Sequence, residues 1–172
     1  VCALGLHLFD EGSLLLGFLR GGEHGCFVNS GWADSWRLIE RENLLLQPGN
    51  DNRRGSDLLA VDRSGRLAVI ELKVDQDIHL PLQALDYWMR VQWHLERGEF
   101  AERGYFTGIE LRPDPPRLLL VAPALEFHPS NETVLGFFHP NIPVERLGLG
   151  LQWRQELKVM FRAPGKTKSS AY

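Results

Sequence analysis

The clearest pattern of apolar and polar residues is a pair of strands joined by a tight turn. Residues Ser56 to Asp62 and Arg66 to Val74 are rich in Leu, Val, Ile and Ala, which predicts two central, buried strands. The intervening Arg63-Ser64-Gly65 suits a three-residue hairpin loop, in which glycine takes up the left-handed conformation without a Cβ penalty. With that loop, the register of the two strands places Asp57 directly opposite Glu71.

A helix and a further strand follow this hairpin. Residues 82–97 contain neither Gly nor Pro, and their apolar side chains recur every three to four residues, which predicts an amphipathic helix that ends at Gly98. The positions that define its apolar stripe are Leu82, Leu85, Trp88 (or Met89) and Trp93. Arg117 to Ala122 is a continuous apolar run, and its lack of alternation indicates a strand buried on both faces. The order strand, strand, helix, buried strand predicts an α/β fold.

The remaining segments give weaker patterns. Strands are predicted for Ala3 to Phe9 and Leu14 to Leu19, with a third near Cys26 to Val28, a helix or a strand for Trp36 to Leu46, a short helix capped by Ser130 or Asn131 for Asn131 to Phe138, and one or two strands for Gly150 to Arg162. We therefore expect three regions: an N-terminal β appendage over residues 1–35, a core over residues 36–163 and a frayed tail over residues 164–172. The appendage would be the end of a longer protein if the chain, which starts at Val1, is a fragment.

The composition is that of an ordinary globular protein. Hydrophobic residues make up 44% and charged residues 24% of the chain, so a buried core is expected rather than disorder. The formal net charge of -3 disfavours a protein that coats nucleic acid non-specifically, because such binding depends on many Lys and Arg side chains. Two cysteines without a CxxC pair are too few for a disulfide framework, and no apolar run is long enough to span a membrane. These features predict a cytoplasmic location.

The hairpin places an unusual set of charges on one face. Because side chains alternate along a strand, Asp57, Glu71 and Lys73 share that face. Two directly opposed carboxylates repel each other in an ordinary sheet, and burial makes the charges more costly still. A divalent cation would turn the repulsion into coordination, and oxygen ligands suit Mg²⁺ or Mn²⁺. The alternative is that both carboxylates lie in solvent at frayed strand ends, with Lys73 neutralising one of them.

These residues resemble a known family. Ser56 to Asp62, with Asp57, followed by Gly65 to Lys73, which ends in Glu71-Leu72-Lys73, is similar to the PD-(D/E)xK nuclease superfamily. Gln83 and Tyr87 on the predicted helix resemble the Gln-x-x-x-Tyr motif of its RecB-like branch. The resemblance covers roughly residues 50–125 and departs from the family at Ser56, where a Pro is usual.

The resemblance implies a fold and an activity. The fold would be a restriction-endonuclease-like core, in which helices flank a central mixed β-sheet. The activity would be metal-dependent hydrolysis of phosphodiester bonds, with Asp57, Glu71 and the backbone carbonyl of Leu72 as ligands of Mg²⁺ or Mn²⁺. Lys73 would orient the attacking water or stabilise charge on phosphorus. Gln83 and Tyr87, which lie on one helix face, would bind the phosphate or the side chains of the site.

Several assignments stay open at this stage. The family often has a further acidic ligand, for which both Glu40 and Glu42 are candidates. Tyr87 equally fits a residue that packs the helix on the sheet. Arg53 and Arg54, just before Asp57, fit either phosphate contact or a solvated loop.

Other polar and aromatic residues are assigned to structural roles. Asp75, Asp77 and His79 fit a polar loop better than the lining of the cleft, and Trp88 and Trp93 fit the core better than base-stacking platforms. The histidines His94, His128 and His139 are structural. Arg154, Lys158 and Arg162 fit a solvated face better than contact with a nucleic-acid backbone.

The expected partner is nucleic acid, with DNA favoured over RNA, and the protein could act as a homodimer. The main rival function is a nuclease-fold module that binds nucleic acid or a protein partner without cutting. A related alternative is an accessory domain of a larger repair or defence protein that is inactive alone.

Overall fold

A seven-stranded sheet with three helices makes up the part of the chain that the structure describes. The computed structural model describes the backbone of residues 27–29, 35–40, 56–153 and 158–165, and the side chains of residues 58–153 and 158–165. The strands are β1 (Phe27–Asn29), β2 (Ser35–Glu40), β3 (Ser56–Asp62), β4 (Leu67–Leu72), β5 (Arg117–Pro123), β6 (Val144–Leu149) and β7 (Val159–Pro164). The helices are α1 (Leu80–Glu96), α2 (Glu99–Glu102) and α3 (Ser130–Gly136).

The strands lie in chain order across one mixed sheet. Neighbours from β1 to β4 are antiparallel, β4, β5 and β6 run parallel, and β7 returns antiparallel to β6. The two parallel connections pass through α1 and α3, because parallel neighbours need a crossover and a helix is the usual one. The predicted α/β class with a mixed sheet and flanking helices is therefore confirmed.

The β3–β4 hairpin forms with the predicted register. Gly65 has a φ of +85°, and its N–H donates to the carbonyl of Asp62 at 3.0 Å. The buried carboxylate of Asp62 also accepts hydrogen bonds from Ser64 N, Ser64 Oγ and Arg66 N, at 2.9, 2.6 and 3.0 Å. These bonds fix the loop, and the paired strands place Asp57 opposite Glu71.

Helix α1 covers the sheet with a different face from the one predicted. Its buried residues are Leu80, Pro81, Ala84, Tyr87, Trp88 and Val91. Trp88 is in the core as expected, and its indole N–H donates to the carbonyl of Pro116 at 2.7 Å. Leu82 is half exposed, and the prediction of a core position for Trp93 is wrong, because its side chain is 48% exposed under the guanidinium of Arg97. The two tryptophans are five positions apart, which at 3.6 residues per turn places them on different helix faces.

The second half of the sheet departs from the pattern in two places. Strand β5 matches its prediction and is buried on both faces, whereas β6 lies before Gly150, where a strand was not expected. The Val-Glu-Arg-Leu-Gly-Leu sequence of β6 contains two residues that strands disfavour, Glu145 and Gly148. One of them, Gly148, packs so closely against Phe161 of β7 that an added Cβ would lie 2.2 Å from its ring.

Helix α3 starts at Ser130 after Pro129, without the predicted side-chain cap.

The core of the described part lies between the sheet and its helices. It contains Leu59, Val69, Leu118 and Leu120 from the strands, with Tyr87, Trp88, Phe100 and Leu135 from the helices. A second cluster, which includes Leu58, Ile70, Val121 and Leu147, occupies the other face of the sheet. The alternation within β4 therefore buries both faces of this strand, since Val69 belongs to one cluster and Ile70 to the other.

Among the described residues, the search for a helix with the length and hydropathy of a membrane span found none. The predicted strands within residues 3–19 and the tail from residue 166 onward lie outside the described residues.

Candidate functional site

Glu71 is a charged side chain in the middle of the core. It is the fifth residue of β4, it is 1% exposed, and it pairs with position 57 on one side and with Leu120 on the other. It therefore lies on the sheet face that α1 covers. A carboxylate in this place costs folding free energy unless other groups compensate. The alternative in which Glu71 is solvated at a frayed strand end is wrong.

The hairpin register brings positions 57 and 71 as close as a sheet allows. Asp62 donates its N–H to the carbonyl of Arg66 at 3.0 Å, so these two residues form a hydrogen-bonded pair. Such pairs alternate with non-hydrogen-bonded pairs along an antiparallel ladder, which makes 57 and 71 a non-hydrogen-bonded pair. The α-carbons of such pairs are about 4.5 Å apart, and their side chains approach more closely than those of other pairs. The side chain of Asp57 itself lies outside the described part.

Lys73 connects Glu71 to a second acid. Its Nζ lies 3.5 Å from Glu71 Oε1 and 3.4 Å from Asp77 Oδ2, and its side chain is only 9% exposed. The backbone N–H of Lys73 donates to the carbonyl of Val121 at 3.0 Å, which keeps this residue beside β5 after β4 has ended. The Glu-x-Lys spacing thus places the amine and the carboxylate on one face, in direct ionic contact.

Asp77 is a site residue for which the sequence analysis preferred a polar loop over a place in the cleft. One of its carboxylate oxygens contacts Lys73 and the other accepts the N–H of His79 at 2.8 Å. His79 is the residue that precedes α1, so a single carboxylate ties the amine of the site to the start of the helix. The available signal was the position of an Asp three residues before the first residue of a helix, where its side chain can accept backbone N–H groups.

The two residues of the Gln-x-x-x-Tyr motif lie in different environments. Tyr87 is buried in the core between α1 and the sheet, which matches the packing role left open for it. Gln83 lies one turn earlier and is partly exposed, and its backbone N–H donates to the carbonyl of His79 at 2.9 Å. Of the two, only Gln83 is accessible to a ligand from solvent.

The remaining candidates lie on the other sheet face from Glu71, make only local contacts, or lie outside the described residues. Glu40 pairs with Leu58 rather than with position 57, so the register assigns it to the opposite sheet face. Arg53, Arg54 and Glu42 lie outside the described residues. The histidines make local contacts: His94 Nδ1 lies 2.7 Å from Glu99 Oε2, and His128 and His139 accept backbone N–H groups two residues ahead.

The donor set fits a hard divalent cation. The carboxylate of an aspartate at position 57, the carboxylate of Glu71 and the backbone carbonyl of Leu72 at the end of β4 would form an oxygen donor set, which is the kind that suits Mg²⁺. Within the side chains that the structure describes, no three His, Cys, Asp or Glu groups converge on one point. The described part of this site therefore comprises one buried carboxylate, one amine and a second carboxylate on the far side of that amine.

Comparisons with known proteins were made at three levels. The chain matches no family model, no curated protein and no solved structure.

Proposed function

We propose that this chain is a metal-dependent nuclease that hydrolyses phosphodiester bonds of nucleic acid, with DNA as the preferred substrate. One observation carries the proposal: a fully buried Glu71 stands opposite Asp57 in the register and in ionic contact with Lys73. Two carboxylates and one amine on a single sheet face are the groups needed to hold a divalent cation and a phosphate beside each other.

The energetics of burial support a functional role for Glu71. A buried ion pair seldom stabilises a fold more than well-packed apolar residues of similar volume would. On its own face of the sheet, Glu71 is next to Val69 of β4 and Leu120 of β5, so an apolar residue would suit this position. A carboxylate is therefore better explained by chemistry than by stability.

The roles of the residues follow from their positions. Asp57, Glu71 and the carbonyl of Leu72 would hold the metal, which when bound would polarise the phosphate and lower the pKa of a coordinated water. Lys73 would donate from its amine to the phosphate or to that water, and Asp77 would keep the amine at the end of β4. Gln83 would approach the substrate from the partly exposed side of the first turn of α1.

The mixed sheet and flanking helices agree with a restriction-endonuclease-like core, which we propose as the finer description of the fold. The Asp57-to-Lys73 hairpin motif is its main support. A homodimer that cuts two strands fits the same proposal.

The test is cleavage of labelled single- and double-stranded DNA and RNA in Mg²⁺, Mn²⁺ or EDTA. We expect metal-dependent cleavage of DNA by the wild type and a loss of at least 100-fold in Glu71→Gln and in Lys73→Met, an order of magnitude typical of removing an electrostatic catalytic group. Glu102→Gln is the control, since it removes one exposed carboxylate from α2. Wild-type protein that cuts no nucleic acid under any of these conditions would overturn the proposal.

A binding module without catalytic activity is the second candidate. The observation that favours it is the ionic contact of Lys73 with both Glu71 and Asp77, which compensates the buried charge without a metal. The two candidates differ in their response to Mg²⁺ and Mn²⁺. A nuclease should show a metal-dependent rise in melting temperature that Glu71→Gln removes, and a binding module should show none.

A further inference from the structure

Exposed apolar side chains cluster at the edge of the sheet where Lys73 lies. Nine large hydrophobic side chains are exposed in the described part of the chain, and six of them lie at this edge. We call these six the apolar rim: Val74, Ile78, Leu82, Leu125, Leu151 and Met160. The first three are the sequence neighbours of Lys73, Asp77 and Gln83, so the rim begins at the candidate site.

The parallel strands place four members of the rim at this edge. Since β4, β5 and β6 run parallel, their carboxyl ends meet at the same side of the sheet. Val74 and Ile78 follow β4, Leu125 follows β5 and Leu151 follows β6. Crevices outside the carboxyl ends of parallel strands are the usual ligand sites of α/β sheets, which makes this edge the expected approach for a substrate.

The other two members belong to elements that start at the same edge. Leu82 lies in the first turn of α1, which begins soon after β4 ends. The N–H of Gly150 donates to the carbonyl of Lys158 at 2.8 Å, so β7 starts beside the end of β6. A Cβ added to Gly150 would lie 3.6 Å from Met160 Sδ, which places this side chain there as well. At a strand spacing of about 4.8 Å, the edge is about 14 Å long from β4 to β7.

The charges along this edge do not suit a duplex. The described segments that carry the rim, residues 74–83, 124–128, 150–153 and 158–160, contain the carboxylates of Asp75, Asp77 and Glu126 and the amine of Lys158. A duplex is bound mainly through its two phosphate backbones, which Lys and Arg side chains neutralise. With Lys73, these segments supply two amines, which suit a few phosphates of one strand and not the backbones of two.

We propose that the candidate site takes an unpaired nucleic-acid strand, whose bases pack on the apolar rim while a phosphate meets Lys73. The inference rests on the proposed function for the class of ligand and adds the form of the substrate. In a duplex, stacking and pairing cover the bases, whereas a single strand or an opened end presents their apolar faces to side chains. The strand lies outside the carboxyl ends of β4, β5 and β6, so it does not enter the core around Glu71.

The first test measures binding without catalysis. Fluorescence anisotropy in EDTA gives the affinity for a fluorescein-labelled DNA of twelve nucleotides, as a single strand and annealed to its complement. We expect the wild type to bind the single strand about tenfold or more tightly than the duplex, because the bases of the duplex are not accessible to the rim. A duplex with an unpaired overhang should bind with an affinity between the two.

A matched pair of variants on α1 tests the rim itself. Leu82 and Met89 are both 51% exposed, but Met89 lies two turns further along the helix, away from the rim. Leu82→Ser should weaken single-strand binding about fivefold, the low end of the loss when a base loses a stacked side chain, and Met89→Ser should leave it unchanged. The slope of log K against log salt should stay the same in both variants, because neither removes a phosphate contact. If the melting curve shows that Leu82→Ser does not fold, Ile78→Ser takes its place.

Three outcomes would overturn the inference. They are a wild type that binds the duplex as tightly as the single strand or binds neither, equal effects of Leu82→Ser and Met89→Ser, and a Leu82→Ser change that turns a dimer into a monomer without altering DNA affinity. The last result would make the rim a contact between copies of the chain.

The proposed nuclease activity fails separately. Single-strand binding that depends on Leu82, in a protein that cuts no nucleic acid with any metal, would remove the catalytic proposal and leave the rim as a base-binding surface. Cleavage that depends on Glu71 and proceeds equally on single strand and duplex would remove the rim proposal alone.

Discussion

At the scale of single residues, the central feature is the buried carboxylate of Glu71, which contacts the amine of Lys73 at the end of the same strand. Lys73 is two residues from Glu71, so β-strand alternation alone brings them to one face, and the 3.5 Å contact follows. Asp77 then restrains the amine from the other side. Glu71 thus contacts Lys73, and Lys73 contacts Asp77. Removal of any one of the three changes the electrostatic energy of the others.

Loss of Lys73 should therefore destabilise the protein more than loss of the whole pair. We expect Lys73→Met to lower the free energy of unfolding by about 3 kcal/mol, because Glu71 keeps its buried charge without the contacting amine. The double variant Glu71→Leu/Lys73→Met should recover most of that loss, since an apolar pair fits the surrounding core. Urea denaturation of the wild type, both single variants and the double variant gives the coupling energy. A Lys73→Met protein with an unchanged midpoint would show that this contact contributes little.

At the scale of elements, the hairpin depends on one glycine for two separate reasons. Gly65 has a φ of +85°, and a Cβ built on it would lie 1.9 Å from the carbonyl oxygen of Glu110. The carbonyl of Gly65 also accepts the N–H of Arg112 at 2.9 Å, so the segment that contains Glu110 is held against the turn. The turn sets the strand register, and the register sets the pairing of positions 57 and 71.

Gly98 provides a matched control for this glycine. It has a φ of +70°, but an added Cβ would meet no atom within 4 Å. We expect Gly98→Ala to cost about 1–2 kcal/mol, the cost of the left-handed conformation alone. Gly65→Ala should cost clearly more, because the backbone must also move away from Glu110. Urea midpoints compare the two, and equal losses would mean that the hairpin turn adapts freely.

Helix α1 offers a second comparison between similar residues. Trp88 is buried and donates to the carbonyl of Pro116, whereas Trp93 is half exposed. Trp88→Ala should lower the free energy of unfolding by about 3–5 kcal/mol, the usual cost of truncating a core aromatic. Trp93→Ala should cost less than about 1 kcal/mol, because it loses little more than its contact with Arg97. Thermal or urea unfolding measures both, and a larger loss in Trp93→Ala would contradict the observed orientation of α1.

At the scale of the whole molecule, the parallel part of the sheet aligns residues that are far apart in sequence. Glu71, Leu120 and Arg146 form one row across β4, β5 and β6. Antiparallel pairing opposes positions 57 and 71, and parallel pairing places the buried Leu120 on the other side of Glu71. The mixed sheet therefore gives Glu71 a polar neighbour on one strand and an apolar neighbour on the other.

The sequence by itself determined the hairpin, its register and the shared face of Glu71 and Lys73. The physical reason is locality, since a three-residue loop with a left-handed glycine and the period of two along a strand depend only on neighbouring residues. It also determined the existence of α1, from apolar residues spaced three to four apart without Gly or Pro, and of β5, from a continuous apolar run.

Only the tertiary structure decided which face of α1 is buried, that Val144–Leu149 is a strand, and that Asp77 lies near the candidate site. A helix with apolar residues on several faces is oriented by what it packs against, and Trp93 was misplaced for that reason. Strand β6 contains Glu145 and Gly148, which strands disfavour, so its conformation comes from pairing with β5 and β7 and not from its own preference. The register between parallel strands is set by packing across crossovers that no short segment of sequence encodes.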